Sequence, residues 1–400
     1  MSHSPTVDKV EPKKFELSSQ AKMVMYVLMA VGALALIAGF FVDKERAFHS
    51  YLTSYFYFVS LAIGGMFFTA IQHATNAGWS VNIRRISESF TSFLPVVLVG
   101  AFGVLAGGSF LYIWLDPQVV ANDPILMGKS GYLNMTFFAV RLIGIAAIWM
   151  FFAKKIIGYS LKQDASGDES LTKKMVPWSI GFILVFALSY SLYSVDLIMS
   201  LEPHWFSTIF GVYCFAGAFQ SALAMMILFT LFCQSKGWVT GLMTEEHVHD
   251  LAKFLKGFTV FWAYIAFSQF MLIWYANLPE ETIFYIHRSH GGWMMLSVIL
   301  LVFKFVVPFV ALLPRWAKRT PAHLVCVCIL VLIMQYVDIY WLVYPNYNNE
   351  HLSFSWMELG MFVGFLGLFL FLATRFLSKN NLVPIKDPRI HESLSHHVTY

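Results

Sequence analysis

Residues 208–233 read TIFGVYCFAGAFQSALAMMILFTLFC, a run without a single Asp, Glu, Lys or Arg. As an α-helix rising about 1.5 Å per residue it reaches about 39 Å, more than the roughly 30 Å of a bilayer's hydrocarbon core. A helix at the surface of a soluble domain keeps one polar face, and this run has none. Working outward, nine further stretches have the same character, at 21–42, 51–74, 93–115, 133–153, 176–199, 254–276, 292–313, 322–344 and 355–377. The breaks between them are polar: Asp43-Lys44-Glu45-Arg46, the loop from Asp116-Pro117 to Lys129, Gln163 to Asp168, Thr244 to His247, Pro279-Glu280-Glu281, Pro314-Arg315 and Asn346 to Glu350. No alternating ten-residue pattern occurs, so helices rather than a β-barrel must satisfy the backbone in lipid. The composition agrees: 58% of 400 residues are hydrophobic and 12% charged, against roughly 25% charged in soluble domains. The expected fold is an all-α polytopic membrane protein of about ten transmembrane helices.

Charge sets the expected orientation. The N-terminal tail, the loops after helices 2, 4, 6 and 8 and the C-terminal tail together carry 21 of the 27 Lys and Arg. The opposite side carries Lys44, Arg46, Lys129 and Arg288. The positive-inside rule places both termini in the cytoplasm. The expected layout is a cytoplasmic tail at 1–20, a membrane domain at 21–377 and a second cytoplasmic tail at 378–400. The polar start, with Glu11 and Glu16, marks the first span as an uncleaved helix rather than a signal peptide. The net charge of +4 gives no reason to expect nucleic acid.

Cys214, Cys233, Cys326 and Cys328 lie in or beside apolar spans and read as structural thiols; no haem-attachment or ferredoxin spacing exists. His73 and His323 fall near the cytoplasmic ends of helices 2 and 9, as interfacial histidines do. No metal and no redox centre is expected in this chain. Ionisable groups inside spans carry more information, because each costs about 2.5–3.5 kcal/mol at a helix centre. Arg141 falls in helix 4, Asp196 in helix 5, Lys304 in helix 8 and Asp338 in helix 9, with Glu358 near the start of helix 10. Gln220, Gln269 and Gln335 add neutral polar groups at depth.

Shifting helices 2–5 onto helices 6–9 aligns Arg141 with Lys304 and Asp196 with Asp338. Tyr193-Ser194-Val195-Asp196-Leu197 then lies beside Gln335-Tyr336-Val337-Asp338-Ile339, and Phe58, Gly65 and Phe67 repeat the spacing of Phe210, Gly217 and Phe219. This predicts a parallel duplication, with one four-helix bundle at 51–199, a second at 208–344, and helices 1 and 10 outside them. Each bundle would hold a basic–acidic pair. Such a pair is either an element of a proton or ion route, or a packing device in which the charges only neutralise each other.

Two non-cytoplasmic segments are dense in polar and aromatic groups. The first is Asp196-Leu197-Ile198-Met199-Ser200-Leu201-Glu202-Pro203-His204-Trp205-Phe206-Ser207-Thr208. The second runs Phe267-Ser268-Gln269-Phe270-Met271-Leu272-Ile273-Trp274-Tyr275-Ala276-Asn277-Leu278-Pro279-Glu280-Glu281-Thr282 and on to Arg288. Trp and Tyr there serve as interface anchors, and the carboxylates with His204 could release protons or dock a partner.

These two segments, with the tail Asp387-Pro388-Arg389-Ile390-His391-Glu392-Ser393, resemble the F subunit of bacterial alternative complex III, within the polysulfide-reductase-like group of membrane subunits. The resemblance covers nearly the whole chain. It implies two four-helix bundles with peripheral helices, and membership of a quinol:cytochrome c or quinol:oxidase oxidoreductase in the bacterial inner membrane. It implies partners: a related quinol-site membrane subunit, an iron–sulfur protein, c-type cytochromes bearing haem c, and a terminal oxidase. Quinol or quinone would be the membrane substrate. On this reading Asp196, Glu202 and His204 form the periplasmic proton exit of the first bundle, with Asp338 as counterpart in the second. Arg141 and Lys304 hold the acids ionised or block back-flow. Glu280, Glu281, Trp205 and Arg288 dock a periplasmic partner. Two alternatives stand beside it: a secondary ion or solute transporter that works alone, and a purely structural membrane anchor.

Overall fold

The computed structural model describes residues 15–397. Of the expected N-terminal tail, residues 1–14 lie outside the described part, as do the last three residues of the C-terminal one. The protein is an all-α polytopic membrane protein: about 80% of it is helical, and ten helices are long and apolar enough to cross a bilayer. These are α1 (Ser19–Val42), α2 (Lys44–Ala74), α3 (Val81–Ala106), α4 (Met135–Ser166), α5 (Ser170–Leu201), α6 (Phe210–Ser235), α7 (Glu245–Ala276), α8 (Trp293–Ala311), α9 (Pro321–Asn346) and α10 (Trp356–Lys379). No strand occurs among the described residues.

Helix α2 packs on α3 and α5, and α4 bridges α3 and α5; α6 packs on α7 and α9, and α8 touches both of those. The two groups of four meet where α2 lies against α6. These two central helices are buried along most of their apolar length, whereas α8 is mostly exposed and faces outward. The repeated words meet at this seam. Phe67 packs edge-on against Phe219, with ring centroids 5.0 Å apart. Helices α1 and α10 pair with each other outside the groups, and α10 rests on α2 and α3. Their approach is set by glycine: a Cβ on Gly32 would stand 2.3 Å from the Gly364 Cα.

Charged groups at helix ends explain the differences from the apolar-run boundaries. The third span runs from 81 to 106 rather than 93–115. Arg84, Arg85 and Glu88 open it while fully buried, because they pair among themselves and with Asp164 and Asp387. Its expected last turns instead leave the helix after Gly107. They lie against α5, where Tyr112 donates to the Leu197 carbonyl at 3.1 Å and Trp114 to the Ser200 carbonyl at 3.1 Å. The break expected at Asp43–Arg46 contracts to one residue. Asp43 ends α1, its N–H bonding the Gly39 carbonyl, and starts α2, its side chain accepting from the Arg46 N–H.

The segment expected as a C-terminal tail folds back. Asp387 pairs with Arg84 at 2.8 Å, the Ser393 hydroxyl donates to the Trp79 carbonyl at 2.7 Å, and His396 lies 2.6 Å from Asp250. Phe15 packs on Trp238, centroids 4.7 Å apart. Both described ends therefore sit on one face, the face that carries most of the basic loops.

Candidate functional site

The sequence of α8 builds its own irregularity. Pro308 stands four residues after Lys304, has no N–H for the Lys304 carbonyl, and crowds that carbonyl with its ring. Residues Leu301–Val306 run as a π-helix, a rare wide turn that is frequent at functional sites. Lys304 is fully buried on this turn. Its ammonium donates to the Gln335 Oε1 at 2.6 Å and to the Asp338 carboxylate, and lies 4.3 Å from the Trp262 ring centroid. Tyr213, from α6, donates its hydroxyl to the other carboxylate oxygen. Gln335 fits because position 217 has no side chain: a Cβ there would stand 2.5 Å from its Oε1.

The first bundle repeats the arrangement with different parts. Arg141 of α4 grips Asp196 of α5 through Nε at 2.8 Å and Nη2 at 3.0 Å, a bidentate fork that fixes orientation as well as charge. Tyr132, from the loop before α4, donates to Asp196 Oδ1 at 3.0 Å and accepts from Arg141 Nη1 through its carbonyl at 3.0 Å. The guanidinium lies over the Tyr132 ring at 3.8 Å and the Phe137 ring at 4.4 Å. In each bundle the base stands on the third helix, the acid on the fourth, and a tyrosine hydroxyl supplies a further donor.

The other expected residues fall differently. Glu202 does not bond Asp196. It pairs with Arg288 at 3.0 Å, with His287 at 3.8 Å beside it. Burial alone would raise the Glu202 pKa, but the charge of Arg288 and the bonds from His287 and Arg288 outweigh it and hold the carboxyl below its usual value. His204 lies apart, exposed, 2.5 Å from Asp123. Arg288 is interior: it donates to the Trp341, Leu342 and Phe284 carbonyls at 3.0, 2.9 and 2.8 Å. Trp205 is buried too, stacked on Phe284 at 4.0 Å. Neither side chain is available to an outside partner, so the expected docking role of these two is corrected to one of fastening the loops. Glu280 is exposed and Glu281 half-buried, in the first turn of the short helix Pro279–His287.

A third buried carboxylate joins the set. Glu358 of α10 is fully buried and pairs with Arg46 of α2 at 2.8 Å. It accepts from the Tyr344 hydroxyl at 2.5 Å and from the Ser355 N–H at 2.6 Å, and Tyr344 in turn meets the Ser50 hydroxyl at 2.7 Å. Arg46 also donates to the Ser353 carbonyl at 2.9 Å, and Tyr347 donates to Asp43 at 2.7 Å. A line of hydroxyls and charges thus runs from the α1–α2 joint into the contact between α2, α9 and α10. Reading Arg46 as a loop residue hid the pair. The signal was an unmatched Glu358 at the start of a span.

Cys214, Cys233 and Cys328 are buried and Cys326 is exposed, all as free thiols. His323 lies 2.9 Å from the Ala311 carbonyl, and His73 is buried. Among the described residues no three His, Cys, Asp or Glu side chains gather as a metal site would require. No protein-family model matches the chain, and no curated protein matches it.

Proposed function

We propose that this chain is a membrane subunit of a quinol-oxidising respiratory complex of the alternative complex III type, set in a bacterial inner membrane with both termini in the cytoplasm. Its work is proton transfer linked to quinol oxidation, and assembly of the complex. Electrons pass through haem c and iron–sulfur centres of its partners. The reading rests on the resemblance of the segments at 196–208 and 267–282, and one structural observation carries it furthest: each bundle buries a basic–acidic pair capped by a tyrosine hydroxyl. Oxidising one quinol releases two protons with two electrons, and those protons need titratable groups on their way to the surface. Asp196 and Asp338 are the acceptors in this proposal, with Tyr132 and Tyr213 as the adjoining hydroxyls. Glu202 and His204 stand nearer the non-cytoplasmic surface, and the exposed Glu280 with the half-buried Glu281 meets a periplasmic partner.

Mild-detergent purification of the tagged chain from native membranes tests the assignment, read by haem spectrum, mass spectrometry and quinol oxidation. Haem- and cluster-bearing subunits should co-elute with that activity. A haem-free chain eluting alone would overturn the reading in favour of a transporter. Within the complex, Asp196→Asn should lower turnover or proton coupling while assembly persists; normal coupling would make the residue structural.

A further inference from the structure

A cavity of about 710 Å3 opens between α7, α8 and the short helix Pro279–His287. That is the size of a pocket for a molecule of a few tens of heavy atoms. Its rim is made by Phe267, Phe270, Met294, Val298 and Leu301, all exposed on the lipid-facing side of the two helices. A ligand therefore enters sideways from the bilayer. The inner end is largely apolar and aromatic, formed by Trp262, Leu300 and Phe305, its one polar side-chain atom being the Trp262 indole N–H, buried without a partner among the described residues. Gln269 stands seven residues beyond Trp262 on α7, about 10 Å along the axis towards the non-cytoplasmic surface.

The polar groups on the wall divide into used and spare. Tyr213 is committed to Asp338, Arg288 to Glu202 and three carbonyls, and Ser297 to Trp293 and Trp341. Gln269 accepts from Ser207 at 3.0 Å, and its amide N–H2 reaches only the Tyr285 oxygen, at 3.4 Å. One amide hydrogen of Gln269 and the hydroxyl hydrogen of Tyr285 thus have no acceptor among the described residues. Gln269 is 2% exposed, where an unmade hydrogen bond is costly.

We propose that this cavity binds a carbonyl-bearing amphiphile of the bilayer, its carbonyl oxygen accepting from Gln269 and Tyr285 and its apolar body lying inward against Trp262. An acyl ester of a phospholipid and an alkylated ring ketone both present this chemistry. A ring-ketone occupant rests on the respiratory assignment, whereas a phospholipid occupant holds whichever complex the chain serves.

Photolabelling in native membranes tests it with two probes, a phosphatidylethanolamine carrying a diazirine on its acyl chain and a 1,4-benzoquinone carrying one on a decyl tail. One or both should label residues 262–270 and 294–305: a single labelling probe identifies the source, and labelling by both means that the site takes either. Ala266→Trp, which fills the cavity, should abolish that labelling. Tyr285→Phe removes one neutral hydrogen bond to the ligand and should lower it about fivefold, with a single cooperative unfolding transition to show the fold intact. Labelling spread evenly over the exposed helices, or labelling that Ala266→Trp and Tyr285→Phe leave unchanged, would overturn the proposal.

Discussion

At the scale of single residues, the ion pairs separate packing from chemistry. Asp338→Asn leaves the Lys304 ammonium buried with only neutral oxygens as partners, and stranding one charge of a buried pair costs about 3–5 kcal/mol. Replacing both, Lys304→Met with Asp338→Leu, should recover part of that in thermal unfolding, because no buried charge is left unpaired, while the Tyr213 hydroxyl and Gln335 lose their partners. If the pair moves protons, the double variant will be folded yet slow in quinol-linked proton transfer. Full activity in it would leave the pair a packing device. Glu202 makes a pH prediction. Its pKa is depressed below the ordinary 4.5, so its contribution is complete above that value and is lost as pH falls through the folded pKa. Glu202→Gln should therefore melt lower than the wild type at pH 7 and converge with it in acid. The bundle pairs were legible in the sequence because a charge deep in lipid must find a partner, and few partners of opposite sign existed. Arg46–Glu358 was not, since a residue flanking an apolar run gives no sign of whether it faces water or turns inward.

At the scale of elements, proline and glycine place the functional side chains. Pro308→Ala restores an N–H to the ladder of α8 and removes the cause of the π-turn. The expected result is a displaced Lys304, seen as a lower melting temperature as its buried pair with Asp338 loosens. The joint between α1 and α10 depends on glycine instead. Gly32→Leu drives a side chain into the Gly364 backbone, where nothing flexible can yield, so the helices must part and stability must fall. Gly32→Ala is the smaller version of the same clash and should fall between the two. Span existence was legible throughout, because apolar length alone reports it. Span ends were less so: Arg84, Arg85 and Glu88 read as loop by composition, and only their mutual neutralisation, with Asp387 arriving from 299 positions or more away in the chain, makes them helix.

At the scale of the whole molecule, the basic face is fastened by the chain's last turns. Ending the chain after Lys379 removes the Asp387 carboxylate, whose pKa burial would raise but the Arg84 charge and the Arg389 N–H hold low. The truncated protein should melt lower at neutral pH and lose cohesion between the α2–α3 loop and the start of α7, measured as faster proteolysis within residues 75–82. The closing contact of the fold has a further consequence, for biosynthesis. Asp43 alone joins α1 to α2, so the first two helices leave the translocon as a shut hairpin with no slack between them. The surface of α1 that carries Gly32 then faces lipid until α10 is made, some three hundred residues later. Chains that stop short of α10 keep that small-residue surface bare, and a membrane protease or chaperone that reads it can tell an unfinished copy from a finished one.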